Sequence, residues 1–344
     1  MAHDTSSSTF QADRLRIGLI GNPIGHSQSP ALFREYFADR PDILHHWSYD
    51  LIERDSFPDA YAAFLMDYVA VNVTTPFKEE AFRAADTWDY SALRCQASNL
   101  MVKTSIRDTC APQPIENATL RQAESGIARF NGKKQSATGN ILSPESAFRI
   151  MAYNTDFEAV LEILRQECPK PGGCRVLIIG CGGAGKAATA AAIEAGMQTR
   201  VYNRTLSRPR EFAEHLRTYN PHSCSAVPQI IGLDSVETPI AAQSVATQSV
   251  VDELLAAIRD SDTIIYTIPG LSDPIQHLLN AHPDILSDKT VIEANYKAPV
   301  LASVQCRRYI SGLTWLRLQA IATYRIVLGP SCCGGKCRFP KGQT

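Results

Sequence analysis

Three groups of residues in this chain have types and spacings that suit chemistry. The first is the run "VLIIGCGGAGKAA", where Gly180, Gly182 and Gly185 stand between an apolar stretch and an alanine-rich one. That spacing suits a strand-to-helix turn that brings backbone N–H groups and a helix N-terminus against a dinucleotide pyrophosphate. The second group ends the next apolar stretch: Asn203, Arg204 and Thr205, with Arg208 close behind. An unphosphorylated ribose calls for Asp or Glu here, to accept from its 2′-hydroxyl, whereas arginine only donates and suits a 2′-phosphate. The expected cofactor is therefore NADP. The third group is dispersed: Ser27 and Ser29 in "GNPIGHSQSP", Asn72, Thr74 and Lys78 in "VNVTTPFKEE", Asn99 in "CQASNLMV" and Asp156 in "YNTDF". Two hydroxyls in a loop stiffened by prolines call for a ligand, and all seven residues could meet where ligands collect, at the carboxyl ends of strands. Each has a plainer reading: Asn72 and Thr74 as turn residues, Asp156 as a helix N-cap, and Lys78 and Arg204 as solvated charges.

Placing these residues together requires an alternation of strands and helices. "LRIGLI", "HHWSYDLI" and "YVAVNVTTP" read as strands, and "PALFREYFADR" and "FPDAYAAFLMD" as the helices between them. A helix follows Asp156. After the Pro/Gly linker "CPKPGGC" a second unit opens with the strand "RVLIIG", the helix "GKAATAAAIEAG" closed by Gly196, and the strand "QTRVYNRT". "DTIIYTIPG" and "KTVIEANY" are further strands, and "GLTWLRLQAIATYRIVLG" is a final amphipathic helix. Such alternation predicts an α/β fold with parallel sheets, whose ligands collect at the carboxyl ends of the strands. Residues 104–147 and 220–250 lack a clear period and read as insertions.

Composition narrows the partners. The chain has 344 residues, 34 Lys+Arg against 35 Asp+Glu, and no segment that concentrates basic charge. It has the length for two domains, and it offers neither nucleic acid nor an anionic membrane a basic surface. No apolar run reaches the ~20 residues that span a bilayer. The polar start "MAHDTSSSTFQ" lacks the plan of a signal peptide, so a cytoplasmic location is expected. The ten cysteines are accordingly expected as reduced thiols, with Cys95, Cys110, Cys168 and Cys181 scattered. Cys332, Cys333 and Cys337 lack the further ligand a zinc tetrahedron needs, and no metal is expected.

Taken together, "GNPIGHSQSP", "VNVTTPFKE", "ASNLMV", "YNTD", "GCGGAGKA", "YNRT" and "GLTWLRLQA" resemble the blocks of the shikimate and quinate dehydrogenases, in that family's order, from about Leu15 to Gly329. The resemblance implies an N-terminal α/β substrate domain (14–165, interrupted by the insertion 104–147), an NADP-binding Rossmann domain (172–308), and a C-terminal helix (309–330) that returns to the substrate domain. It implies that Lys78 and Asp156 are the catalytic pair and that Ser27 and Ser29 bind the carboxylate of a cyclic acid. Asn72, Thr74, Asn99, Tyr296 and Gln319 would be further substrate contacts. The cofactor set would be Gly180, Gly182, Gly183, Ala184, Gly185, Asn203, Arg204, Thr205 and Gly312. The implied reaction interconverts shikimate and 3-dehydroshikimate in a monomer or homodimer. Quinate oxidation and metabolite sensing without catalysis are the alternatives: Ser29 leans toward shikimate, and the insertions lean toward quinate-using relatives. One departure stands out, because "YTIPG" replaces the family's Asn-Ala-Thr-Pro stretch beside the nicotinamide. Tyr266 thus stands where a small amide is usual.

Overall fold

A computed structural model describes residues 14–105, 148–168, 173–219, 227–233 and 240–329. The chain divides into two compact units after Phe77. In the first unit, β1 (Leu15–Gly21) lies between β2 (Trp47–Glu53) and β3 (Ala70–Val73), all parallel. The central strand is buried from Ile17 to Gly21, as expected of a parallel strand covered on both faces. Helix Ser29–Tyr36 opens with Pro30 in its first turn. Helix Phe57–Asp67 is capped by Ser56, whose Oγ accepts from the Asp59 amide at 3.3 Å. "HHWSYDLI" is not one strand: Pro41–His46 forms a helix and the strand starts at Trp47. Pro41 in the first turn, Asp42 beside it and the two histidines in the last turn are all in places that favour a short helix.

The second unit begins with a short helix, Lys78–Ala84, followed by β4 (Thr87–Trp88) and helix Tyr90–Cys95. β5 (Leu100–Ser105) and β6 (Phe148–Tyr153) run antiparallel, and β6 pairs with β4 in parallel. The antiparallel pair departs from the parallel arrangement expected, since neighbours of this kind need no helical crossover. Thr104 and Ser105 pair with Arg149 and Phe148, so the first insertion starts after Ser105, and residues 106–147 lie outside the described residues. Helix Thr155–Glu167 follows, with Asn154 rather than Asp156 as its N-cap.

The second sheet is parallel throughout. Its strands are β7 (Arg175–Ile179), β8 (Gln198–Thr205), β9 (Gln229–Leu233), β10 (Thr263–Tyr266), β11 (Thr290–Glu293) and β12 (Arg308–Ile310), in the order β12-β11-β10-β7-β8-β9. This is the doubly wound dinucleotide-binding order, whose switch point lies between the first and fourth strands, here β7 and β10. The stretch 220–250 is not a featureless insertion, because β9 and the start of helix Ile240–Asp260 fall within it. A five-residue strand and a Ser/Gln/Ala/Val helix present too little contrast between faces to show a period. Helix Gly312–Leu328 packs on helix Thr155–Glu167, which in turn packs on helix Gly183–Glu194.

Cys168 and Cys174 form a disulfide, which corrects the expectation that Cys168 is a reduced, incidental thiol. The two stand six residues apart, flanking the linker that leads into β7, and this brings their side chains within reach. Cys95 and Cys181 are free and buried, while Cys110, Cys332, Cys333 and Cys337 lie outside the described residues.

Candidate active site

The glycine fingerprint follows directly from β7. Gly180 takes φ +105°, which favours glycine, and a Cβ on Gly185 would lie 2.1 Å from the Gly180 carbonyl oxygen. The turn therefore tolerates neither side chain. Gly182 caps helix Gly183–Glu194, and a Cβ there would meet nothing within 4 Å, so its backbone faces open space. A pyrophosphate could approach amides at such a helix start. Asn203, at the end of β8, accepts from the Cys181 amide at 3.1 Å and donates to the Thr205 carbonyl at 2.8 Å. It ties the fingerprint loop to the segment carrying Arg204, which is exposed. These residues fit NADP: a helix start open to a pyrophosphate and an exposed guanidinium for the 2′-phosphate. Burial pushes the Cys181 thiol up to about 11, so it is no nucleophile despite its place in the loop.

Lys78 and Asp156 are brought together. Nζ of Lys78 lies 2.5 Å from Oδ2 of Asp156, and their side chains are 15% and 5% exposed. The lysine stem runs along the fingerprint, since a Cβ on Gly183 would stand 3.0 Å from Lys78 Cδ. The neighbouring Glu79 accepts from Lys186 at 3.0 Å. Burial alone would raise Glu79, but the Lys186 hydrogen bond and the charges of Lys186, Arg208 and Arg83 hold its carboxyl below the usual range.

Asn99 and Gln319 join the same cluster. Asn99 Nδ2 donates to Gln319 Oε1 at 2.9 Å, and Asn99 Oδ1 accepts from the Thr155 amide at 2.6 Å. The second oxygen of Asp156, Oδ1, accepts from the indole Nε1 of Trp315 at 2.9 Å. Trp315 stands one helical turn before Gln319, with no local pattern to mark it as a site residue. Gly312 begins that helix, and a Cβ on it would lie 2.6 Å from the Ala294 carbonyl oxygen. This close approach explains the glycine.

In the first unit, Ser27 Oγ donates to Ser29 Oγ at 3.2 Å and accepts from the Ser29 amide at 3.3 Å. The two hydroxyls sit where the loop meets helix Ser29–Tyr36. Glu53 steadies this loop by accepting from the Ile24 amide at 2.9 Å. Asn72, on β3, accepts from the Tyr49 hydroxyl at 2.8 Å. Thr74 follows β3, and its amide donates to the Ile20 carbonyl at 2.8 Å.

Two further loops are held from within the second unit. Tyr296 belongs to the turn after β11, where Asn295 Oδ1 accepts from the Lys297 amide at 3.2 Å. The fully buried Glu293 accepts from the amides of Val300 and Leu301 and from the Tyr309 hydroxyl, at 2.6, 3.1 and 2.8 Å. Tyr266 is buried. Its hydroxyl donates to the Gly270 carbonyl at 2.8 Å and accepts from the Ser272 amide at 2.9 Å. The tyrosine thus fastens the loop 267–272. Among the described residues no cluster of His, Cys, Asp and Glu is placed to hold a metal ion, and no helix is long and apolar enough to cross a membrane.

A doubly wound sheet with a glycine fingerprint, carried with a buried lysine–aspartate pair, gives the chain the α/β architecture that dinucleotide-binding proteins use. Residues 19–101 match the family model described as the shikimate dehydrogenase substrate binding domain. The chain is similar to the solved shikimate dehydrogenase of Aquifex aeolicus, at 20% identity over 95% of this chain and 99% of that one, with a TM-score of 0.61. It is similar to shikimate 5-dehydrogenase of Thermus thermophilus, solved with NADP(H) and shikimate, at 19% identity over 94% and 98% of the two chains (TM-score 0.58). The enzyme of Listeria monocytogenes, solved with shikimate and NAD, matches at 17% identity over 92% of each chain (TM-score 0.61). These findings give the chain the shikimate dehydrogenase fold and support the family to which its motifs pointed.

Proposed function

We propose that the chain is an NADP-dependent oxidoreductase that interconverts shikimate and 3-dehydroshikimate. The observation that carries this reading is the buried contact of Lys78 with Asp156, on a chain that also holds a dinucleotide fingerprint. In the oxidative direction, NADP supplies the acceptor for the hydride that leaves the carbinol carbon. Lys78 takes the hydroxyl proton at Nζ, and Asp156 orients that amine. Ser27 and Ser29 bind the ring carboxylate through charge-assisted hydrogen bonds, and Ser29 favours shikimate over the more hydroxylated quinate. Asn72, Thr74, Asn99, Tyr296 and Gln319 contact the ring substituents, while Arg204, with Asn203 and Thr205, receives the 2′-phosphate. Residues 14–165, 172–308 and 309–330 are the corresponding substrate domain, cofactor domain and returning helix.

The test is the absorbance of reduced cofactor when purified protein meets NADP or NAD with shikimate or quinate. Turnover is expected with NADP and shikimate. Lys78→Ala should lower kcat by roughly 10²–10⁴-fold, with a smaller change in substrate KM. Absence of turnover with both acids would overturn the reading, and near-normal turnover in the variant would remove Lys78 from the mechanism.

A further inference from the structure

The Asp156 carboxylate that meets Lys78 also belongs to a ring closed by hydrogen bonds and the chain itself. Asp156 Oδ2 meets Lys78 at 2.5 Å and Oδ1 meets Trp315 Nε1 at 2.9 Å, so the carboxylate is held from both ends. Its neighbour Thr155 donates its amide to Asn99 at 2.6 Å, and Asn99 donates to Gln319 at 2.9 Å. Gln319 lies one turn beyond Trp315 on the same helix, which closes the ring. A carboxylate held only by a lysine can rotate about its Cβ–Cγ bond and carry the amine with it, because the lysine stem is flexible. An indole has few torsions and a single N–H in a fixed direction. Trp315 is 3% exposed, and its helix is anchored by Ser311, whose Oγ accepts from the Thr314 amide at 3.3 Å.

We propose that Trp315 is a positioning residue for the proton-transfer pair: its indole N–H locks the Asp156 carboxylate so that Lys78 Nζ is presented in one orientation. The inference rests on the oxidoreductase reading for its kinetic consequence, but its geometry does not. Trp315→Phe keeps the ring and removes the donor. Loss of one charge-assisted hydrogen bond corresponds to about tenfold or more in kcat, with shikimate and NADP KM values within about twofold. A structural role alone would not alter the kinetic isotope effect. If positioning of the proton pair is lost, the solvent isotope effect on kcat rises, and Trp315→His, which keeps a ring N–H, recovers part of the rate.

The second measurement needs neither turnover nor a folded Trp315 variant. In a ¹H–¹⁵N spectrum, the Trp315 indole signal should move upfield in Asp156→Ala, while that of Trp88, whose indole donates to the Phe82 carbonyl, should stay in place. A Trp315→Phe enzyme with wild-type kcat overturns the proposal, as does a Trp315 signal that ignores the loss of Asp156. If the wild type turns over neither acid, the oxidoreductase reading fails, while the indole signal still decides whether Trp315 holds Asp156.

Discussion

His215 should make this fold lose stability in mild acid. The residue lies on helix Ser207–Tyr219, with Nε2 2.7 Å from the Leu93 carbonyl oxygen and its ring stacked on Phe212 at 6.1 Å between centroids. Burial is the largest cause that lowers its pKa, from 6.5 to about 4. The nearby charges of Lys186 and Arg94 add to this, and the Leu93 carbonyl opposes it. The folded value lies below the unfolded one, so above pH 6.5 neither state holds the extra proton and the residue costs nothing. As the pH falls below 6.5, the unfolded chain gains a proton that the folded chain refuses, and the loss is complete near pH 4. The gap between 6.5 and about 4, at roughly 1.4 kcal/mol per pH unit, comes to about 3 kcal/mol. Partial solvent access to the ring trims this to about 2 kcal/mol. The perturbation is His215→Gln, whose amide still donates to Leu93, and the assay is urea unfolding at about pH 7 and about pH 4.5. The wild type should lose about 2 kcal/mol more than the variant between the two conditions. Asp89 and Glu158, whose carboxyls burial raises, are common to both proteins and drop out of the difference. Equal losses in the two proteins would refute the reasoning.

Arg204→Ala should raise the KM for NADP by much more than that for NAD, by the equivalent of roughly 1.5–3 kcal/mol, and equal use of both cofactors by the wild type would refute this. Gln96 ends helix Tyr90–Cys95 at φ 48°, a left-handed conformation that costs a side-chain-bearing residue about 1–2 kcal/mol. Gln96→Gly should therefore raise the unfolding free energy by about 0.5–1 kcal/mol, and a lower thermal midpoint would refute it. Since Ser105 and Phe148 are already paired across β5 and β6, a short Gly/Ser bridge in place of 106–147 should leave kcat within about fivefold. A folded but inactive bridge variant would make that segment part of the site.

What was legible in the sequence was what short-range pattern encodes. β7 and β10 are runs of buried Ile, Val, Leu and Thr ended by a glycine or a polar cluster, and the fingerprint glycines have steric reasons visible in their spacing alone. Helix Phe57–Asp67 carries its own N-cap and a first-turn proline, so its start could be read. The helices Lys78–Ala84 and Tyr90–Cys95 are too short to show a period, and Ile240–Asp260 shows too little contrast. Polar pairs between distant positions leave no local trace. Trp315 meets Asp156 across 159 positions, and Lys186 meets Glu79 across 107. Lys78 and Asp156 stand in separate motifs, and no pattern between them marks that their side chains meet. Trp315 had no motif of its own beyond its place before Gln319.

Lys78 and Glu79 are adjacent in the chain, yet they face different helices. Lys78 reaches Asp156 on helix Thr155–Glu167, and Glu79 reaches Lys186 on helix Gly183–Glu194. The first turn of helix Lys78–Ala84 therefore bridges the proposed proton-transfer pair and the dinucleotide fingerprint. Gly183 lets this happen at short range, because any side chain there would press on the Lys78 stem at 3.0 Å. The fingerprint glycines consequently answer two demands. Gly180 and Gly185 satisfy the turn, whereas Gly183 leaves room for a lysine from another element to lie against the loop. Spacing alone assigns all of them to phosphate binding. The packing separates their roles, and it puts the fingerprint loop and the Lys78–Asp156 pair under the same steric constraint.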